Sequence, residues 1–456
     1  LYSAIRLPAE SKTEWIVSPP GQRARHLTAQ IIIAVGRLQN PVDPKRRHPN
    51  NGIGSDGPCI CGVQWSNLSL LRQLRRAQNE AQMSDSYFLY HSIGMYPQKA
   101  RDLAAALAEF SFVWGKPDDG QWAYALGMRH RFIERWRAIL NAPDQTVTTF
   151  ENVTAAFHSL LASLPSGHLE GRTVLVGADC FPSNHFLLNG MAQKYGFTLQ
   201  TVPLRQGSAH VEDEDFIDAW TPRVGLALLT WISSTTSHRI NLQRMVAHGR
   251  KMGSLIGTDI TQGAGLLPYD VFAPEVDFTI STSLKWMCGT PGAGVLYLSP
   301  RLIAHCHPEL RGWFSQPNPF NWDITKFAYA PDIRRFDNGT PGVMAALASL
   351  PALDWHAFQD KAALLAHNRA LTKRLIEAGD ELGLPLVTPR SETQRGGSVM
   401  LRLPETHPAA QVVAALRSQG ITTDARAQTL RLSPGNLTTL SGTERLIDAL
   451  GRIVRP

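Results

Sequence analysis

The chain has 456 residues, 43% hydrophobic and 18% charged, with five cysteines and a formal net charge of +7. That length can bury a sizeable core in two lobes plus an end segment, and no apolar run approaches the roughly 20 residues that span a bilayer. The positive charge marks no nucleic-acid face: residues 1–82 hold 11 Lys or Arg against 5 Asp or Glu, and the other 374 residues are almost neutral.

The basic end reads unlike the rest. It carries Pro19 and Pro20, a KRRH run at 45–48 and a turn-rich PNNGIGSDGP stretch at 49–58. Its periodicity is weak apart from a basic helix-like stretch at 66–82, and its composition is that of a linker. Three readings compete for residues 1–82: upstream sequence translated from a wrongly assigned start, a disordered tail, or a regulatory arm. The first is favoured, because the composition resembles a linker more than a domain; the chain does not begin with Met, and organised sequence starts at Met83. The opening lacks the long apolar stretch of a secretory signal, so the cytoplasm is the expected compartment. Cys59, Cys61, Cys180, Cys288 and Cys306 form neither a metal-ligand nor a disulfide spacing, and no metal is expected.

From residue 98 the chain reads in helices and strands. Apolar spacing predicts helices over 98–114 and 124–140, separated by the breaker-rich GKPDDG. A short strand at 146–150 precedes a helix over 152–164. Then 172–178, 197–204, 224–232, 254–259, 276–282 and 294–299 read as strands, mostly buried, with helices at 185–196 and 241–252 between them. Such alternation predicts a mostly parallel sheet covered by helices. After residue 344 the texture changes to helices at 343–356, 359–382, 408–419 and 441–453 with strand segments at 398–403 and 429–434. The expected organisation is a basic extension (1–82), a large α/β domain (83–344) and a smaller α+β C-terminal domain (345–456).

The most informative residue is Lys285, in TISTSLKWMCGTPGAGVLYL (279–298). Small and apolar neighbours surround it at the end of a predicted strand. An ammonium is costly to desolvate there, and burial moves it towards a nucleophilic amine. Asp259 ends the preceding strand. A lysine and a carboxylate at neighbouring strand ends suit pyridoxal phosphate: the amine can condense with the aldehyde, and the acid can keep the pyridine nitrogen protonated. Phe181 follows another strand, where its ring can cover a pyridine face. Asn152 and Thr154 begin a helix whose free N–H groups suit a phosphate; plain capping explains them equally. The GTPGAG run (289–294) reads as a tight turn, since it follows the lysine instead of opening a helix.

Seven segments in order carry a family resemblance. They are FLYHSIGMYP, ADCFPSNHF, GTDITQGAG, STSLKW, RGWFSQ, RFDNGTPG and TDARAQTLRLSP. From about Tyr87 to Thr439 the chain resembles kynureninase, within the class V aminotransferase group of fold-type-I pyridoxal-phosphate enzymes. The resemblance implies a homodimer with shared sites and a small amino-acid substrate. It implies hydrolytic Cβ–Cγ cleavage to alanine and an aryl acid; a class V aminotransferase is the alternative. It also implies cofactor contacts from Trp313 and from Gly339 and Thr340, the latter two reaching a partner's phosphate. Ser92 and Arg431 become the expected substrate contacts, with Arg426 the rival for the α-carboxylate. Five positions depart from the pattern. Gln262 stands where the family has His, Leu284 where it has Tyr, Asn184 where it has Asp, and Ser315-Gln316 where it has Gly-His. A cysteine desulfurase is disfavoured, since no cysteine follows Cys306.

The isolated charge of the N-terminal segment generates one test. A chain beginning at Met83 is expected to fold and to keep its activity. An insoluble or inactive truncation, scored by circular dichroism and assay, would show that residues 1–82 belong to the folded unit.

Overall fold

The computed structural model describes residues 85–454. The basic segment, Cys59, Cys61 and the expected boundary at residue 82 lie outside the described residues. Strands β2 (Thr173–Gly177), β4 (Val224–Thr230) and β5 (Leu255–Asp259) are buried on both faces, which requires a covering layer on each side. Val174, Val176, Leu226 and Leu228 pack into one layer with Phe157 and Phe278. Leu175, Ala227, Leu229 and Ile256, one residue out of phase, pack into the other with Phe132 and Trp136.

The sheet is completed by β1 (Val147–Phe150), β3 (Thr198–Val202), β6 (Phe278–Thr282) and β7 (Gly294–Leu298), in the order β1-β7-β6-β5-β4-β2-β3. The pairings β2–β3, β2–β4, β4–β5 and β5–β6 are parallel. The pairings β6–β7 and β1–β7 are antiparallel. This is the mostly parallel α/β sheet of the fold-type-I class that the sequence predicts. The GTPGAG run turns the chain from β6 into β7, as expected.

Helices α1 (Lys99–Trp114), α2 (Gln121–Leu140), α3 (Val153–Leu161), α4 (Pro182–Tyr195), α5 (Asp213–Ala219), α6 (Leu242–Met252) and α7 (Pro300–His305) accompany this sheet. Then α8 (Met344–Ala357) and α9 (Lys361–Glu381) lead to a second sheet. It comprises β8 (Val399–Arg402), β9 (Asp424–Arg426) and β10 (Thr429–Leu432), with α10 (Ala409–Ser418) and α11 (Leu440–Val454). Leu401, Leu430 and Leu432 pack there with Leu375, Leu416 and Leu446. Among the described residues, no helix is long and apolar enough to cross a membrane. Three elements escape the sequence reading: α5, α7 and β9. Each has seven residues or fewer, too short to display a period.

The segment opening the described chain ties the two sheets together. Tyr87 and Leu89 bridge to Thr422 and Ser433 beside the smaller sheet, and Phe88 enters its core. A few residues on, the Gly94 N–H donates to the Leu284 carbonyl at 3.0 Å, beside the larger sheet.

Within β5, Gly257 lies against Phe278. A Cβ added there would sit 1.8 Å from a Phe278 ring atom. Gly257→Ala is therefore expected to destabilise the fold by about 1–3 kcal/mol or more through overpacking. Denaturant titration checks this; an unchanged midpoint would mean that the ring moves aside freely.

Candidate active site

Parallel strands β4, β5 and β6 end at Thr230, Asp259 and Thr282. A cavity of about 790 Å³ lies at these ends, the edge where open α/β sheets hold ligands. It gathers Asn152, Thr154, Phe181, Asp259, Gln262, Leu284 and Lys285.

The fold fixes Lys285 by its backbone. The Cys288 N–H donates to the Lys285 carbonyl at 2.7 Å, and the Gly289 N–H to the Ser283 carbonyl at 2.6 Å. Trp136 Nε1 donates to Ser283 Oγ at 3.0 Å. Gly94 presses against the same turn: a Cβ there would be 1.8 Å from the Lys285 carbonyl oxygen. The side chain is less constrained. Nζ lies 5.2 Å from the Phe181 ring centroid, and among the described residues no carboxylate reaches ion-pair distance. Burial pushes the amine down to about 8; nearby Asp259 opposes this, and Arg431 and Arg426 add to it.

Asp259 is 6% exposed. Its Oδ1 accepts the Thr261 N–H at 3.0 Å, and its Oδ2 accepts Asn184 Nδ2 at 3.1 Å. Asn184 and Phe181 come from one helix start, for Phe181 is the N-cap of α4. Asn184 is fully buried, and its Oδ1 has no partner among the described residues. The departure from Asp to Asn at 184 thus gives Asp259 a donor in place of a second charge.

At the opposite wall, Asn152 caps α3, its Oδ1 accepting the Ala155 N–H at 2.9 Å. The capping role is therefore realised. It leaves the N–H groups of Val153 and Thr154 at a helix start facing the cavity. Gln262 lines the cavity, but both ends of its amide are engaged. Nε2 donates to the His91 carbonyl at 3.1 Å, and Oε1 accepts Trp286 Nε1 at 3.3 Å.

The expected residues Trp313, Gly339, Thr340, Ser92, Arg426 and Arg431 are not among those lining this cavity. Thr340 lines a neighbouring one of about 580 Å³ with Arg129 and Asp337; the two cavities share Glu151, Ala155 and His158. Trp313 stacks on Trp322, with centroids 6.1 Å apart. Ser92 sits in a turn, its N–H donating to the Leu89 carbonyl at 2.8 Å. Arg431 is buried and bound by Asp424, with Nη1 3.5 Å from the carbonyl of Ser234, a cavity residue. Arg426 is exposed on β9. Nothing in the sequence reading singles out His91 or Asp424; only the Asp-x-Arg spacing of the last motif hints at the second.

The residues present fit pyridoxal phosphate. An unpaired amine, a buried carboxylate, an aromatic ring and a helix start surround one space. Asp259, held by Asn184 and Thr261 and lining the cavity, is a buried acceptor suited to a protonated ring nitrogen.

Comparison with known proteins shows the family and the fold. Residues 131–431 match the family described as aminotransferase class-V. A kynureninase from Deinococcus radiodurans is 32% identical over 309 residues, covering 66% of this chain and 72% of that one. A cysteine desulfurase from Thermococcus onnurineus NA1 superposes with a TM-score of 0.72 at 18% identity, covering 84% of this chain and 98% of that one. A mutant of C-DES with glycine covalently linked to the PLP cofactor gives 0.73 at 19% identity, covering 82% of this chain and 98% of that one.

The lowered amine generates a pH test. Competitive acylation of apoprotein, read by peptide mass spectrometry, is expected to show Lys285 gaining reactivity through about pH 8. Exposed lysines should do so near their ordinary value of about 10.4. A Lys285 profile matching theirs would contradict the desolvated amine.

Proposed function

The chain belongs to the class-V aminotransferase family and is a pyridoxal-phosphate-dependent enzyme; from that premise we propose that it hydrolyses the Cβ–Cγ bond of a kynurenine-type amino acid, giving alanine and an aryl acid. One observation carries the reading. An unpaired lysine amine and a buried carboxylate share one cavity, in a chain whose likeness to a kynureninase spans most of that relative.

When bound, the cofactor supplies an aldehyde that captures the substrate amine and a ring that takes up electron density from Cα. The chain's own residues divide the remaining work. Asp259 holds the proton at the ring nitrogen, supported by Asn184 and Thr261. Phe181 covers a ring face. The Val153 and Thr154 N–H groups take the phosphate, with Leu284 adding no hydrogen bond where the family has Tyr. Lys285, whose amine burial lowers to about 8, would remove the Cα proton through Nζ. Arg431 takes the α-carboxylate, and Ser92 lies nearby in sequence to the turn that meets Lys285.

Hydrolysis also needs a group to move protons at the γ-carbonyl. Gln262 cannot titrate, and its amide is committed to His91 and Trp286. Glu151 and His158 are titratable groups lining both cavities. Without a dedicated shuttle, a contribution of about 10²–10⁴-fold is missing, so the cleavage is expected to be slower than the family norm. A homodimer accounts for Thr340 and Trp313, which lie off their own chain's cavity and would serve the other copy's. The compartment in this reading is the cytoplasm. The class-V aminotransferase reading stands second, favoured by the committed Gln262. A desulfurase reading lacks a cysteine after Cys306 among the described residues.

Incubation with L-kynurenine and 3-hydroxykynurenine is expected to give alanine and the matching anthranilate without an added keto acid. Product only when a keto acid is supplied would contradict hydrolysis and favour transamination. Asp259→Ala is expected to slow Cα proton exchange by more than the roughly ten- to hundredfold that one charge-assisted hydrogen bond is worth in binding. Unchanged exchange would remove Asp259 from the nitrogen.

A further inference from the structure

A buried chain of polar groups runs behind the cavity, and the proposed reaction gives its central histidine no task. Its centre is His91, 2% exposed. Nδ1 lies 2.6 Å from Ser433 Oγ, which lies 2.6 Å from Ser398 Oγ. On the other side, Nε2 lies 3.0 Å from Asp424 Oδ1, an ion-pair distance without full hydrogen-bond alignment. The same Asp424 carboxylate holds Arg431: Nε donates to Oδ1 at 2.9 Å, and Nη2 donates to Oδ2. The third guanidinium nitrogen, Nη1, donates to the Ser234 carbonyl at 3.5 Å, and Ser234 lines the cavity. The His91 carbonyl meanwhile holds Gln262, another cavity residue.

The order Asp424–His91–Ser433 has the composition of a nucleophile relay. Ser433 is fully buried, however, and its hydroxyl is engaged by both Ser398 and His91. No substrate reaches it. The chain must act through its other end. A carboxylate only accepts, so the shared ring proton sits on Nε2 and Nδ1 is left to accept from Ser433. Burial, the largest influence on this ring, holds its pKa below the ordinary imidazole value. A neutral His91 then fixes one oxygen of Asp424 without cancelling its charge. Asp424 in turn fixes two of the three guanidinium nitrogens.

We propose that His91 is a positioning residue: through Asp424 it orients Arg431 so that the Nη1 edge faces the cavity and receives the α-carboxylate of the substrate. This rests on the reading of the substrate as an α-amino acid and of Arg431 as its carboxylate partner. Without His91, Asp424 has a freed acceptor and a freed rotamer. The guanidinium can then follow it away from the cavity or close on it fully.

The test uses holoenzyme, with ligand binding followed by the change in cofactor absorbance. The probes are L-alanine and ethylamine, which differ by the carboxylate alone. His91→Leu removes the donor to Asp424; His91→Gln can restore it from a side-chain N–H. Wild type is expected to prefer L-alanine. His91→Leu is expected to weaken L-alanine by about tenfold or more, the loss of one hydrogen bond to a charged group, and to leave ethylamine within about twofold. For L-kynurenine, KM should rise while kcat holds, and His91→Gln should recover most of the loss. Equal weakening of both probes in both variants, or an unchanged preference in His91→Leu, would overturn the role of His91. If wild type itself shows no preference, the amino-acid reading fails first, and this proposal falls with it.

Discussion

The Lys285 amine faces an aromatic ring instead of a carboxylate, and its desolvation is the term on which the site depends. An unpaired buried ammonium is expensive, and such a group sheds its proton instead of keeping the charge. The fold arranges this cost deliberately. Leu284 and Trp286 flank the lysine, and the turn through Cys288 and Gly289 fixes its backbone. Gly94 leaves no room for the segment to drift. Asp259 is close enough to oppose the shift, yet it is held by Thr261 and Asn184 outside ion-pair distance of the amine. A direct ion pair would have kept the amine charged.

The opening segment makes this arrangement sensitive to the smaller sheet. Residues Tyr87 and Leu89 bridge to it, His91 reaches Asp424, and Gly94 touches the lysine turn. Arg431 in the smaller sheet and Lys285 beside the larger one are therefore linked by one stretch of about ten residues. A change in how Arg431 sits can be felt at Lys285, whose amine already responds to the Arg431 charge.

Much of this was legible in the sequence, for identifiable reasons. Long buried strands and amphipathic helices announce themselves by period, so most elements fall within a few residues of their expected ends. Lys285, Asp259 and Phe181 stood out because each ends or follows an apolar run, where side chains must point to a common edge. The antiparallel direction of β7 was not legible, because a buried strand reads alike in either direction. His91 was invisible for a different reason. A lone histidine in an aromatic segment carries no spacing, and its partners Asp424 and Ser433 lie more than three hundred residues away. The positions of Thr340 and Trp313 relative to the cavity depend on chain tracing that no local pattern encodes.

The departures from the family pattern become intelligible as local substitutions of donors. Asn184 supplies Asp259 with an N–H, and Gln262 buttresses the His91 carbonyl and Trp286. All of this presumes that the cofactor is carried on Lys285. Borohydride reduction of purified holoenzyme, followed by peptide mapping, measures that directly. The account predicts a pyridoxyl adduct on Lys285 and its loss in Lys285→Ala. An adduct mapped to another residue, such as Lys99, would contradict it.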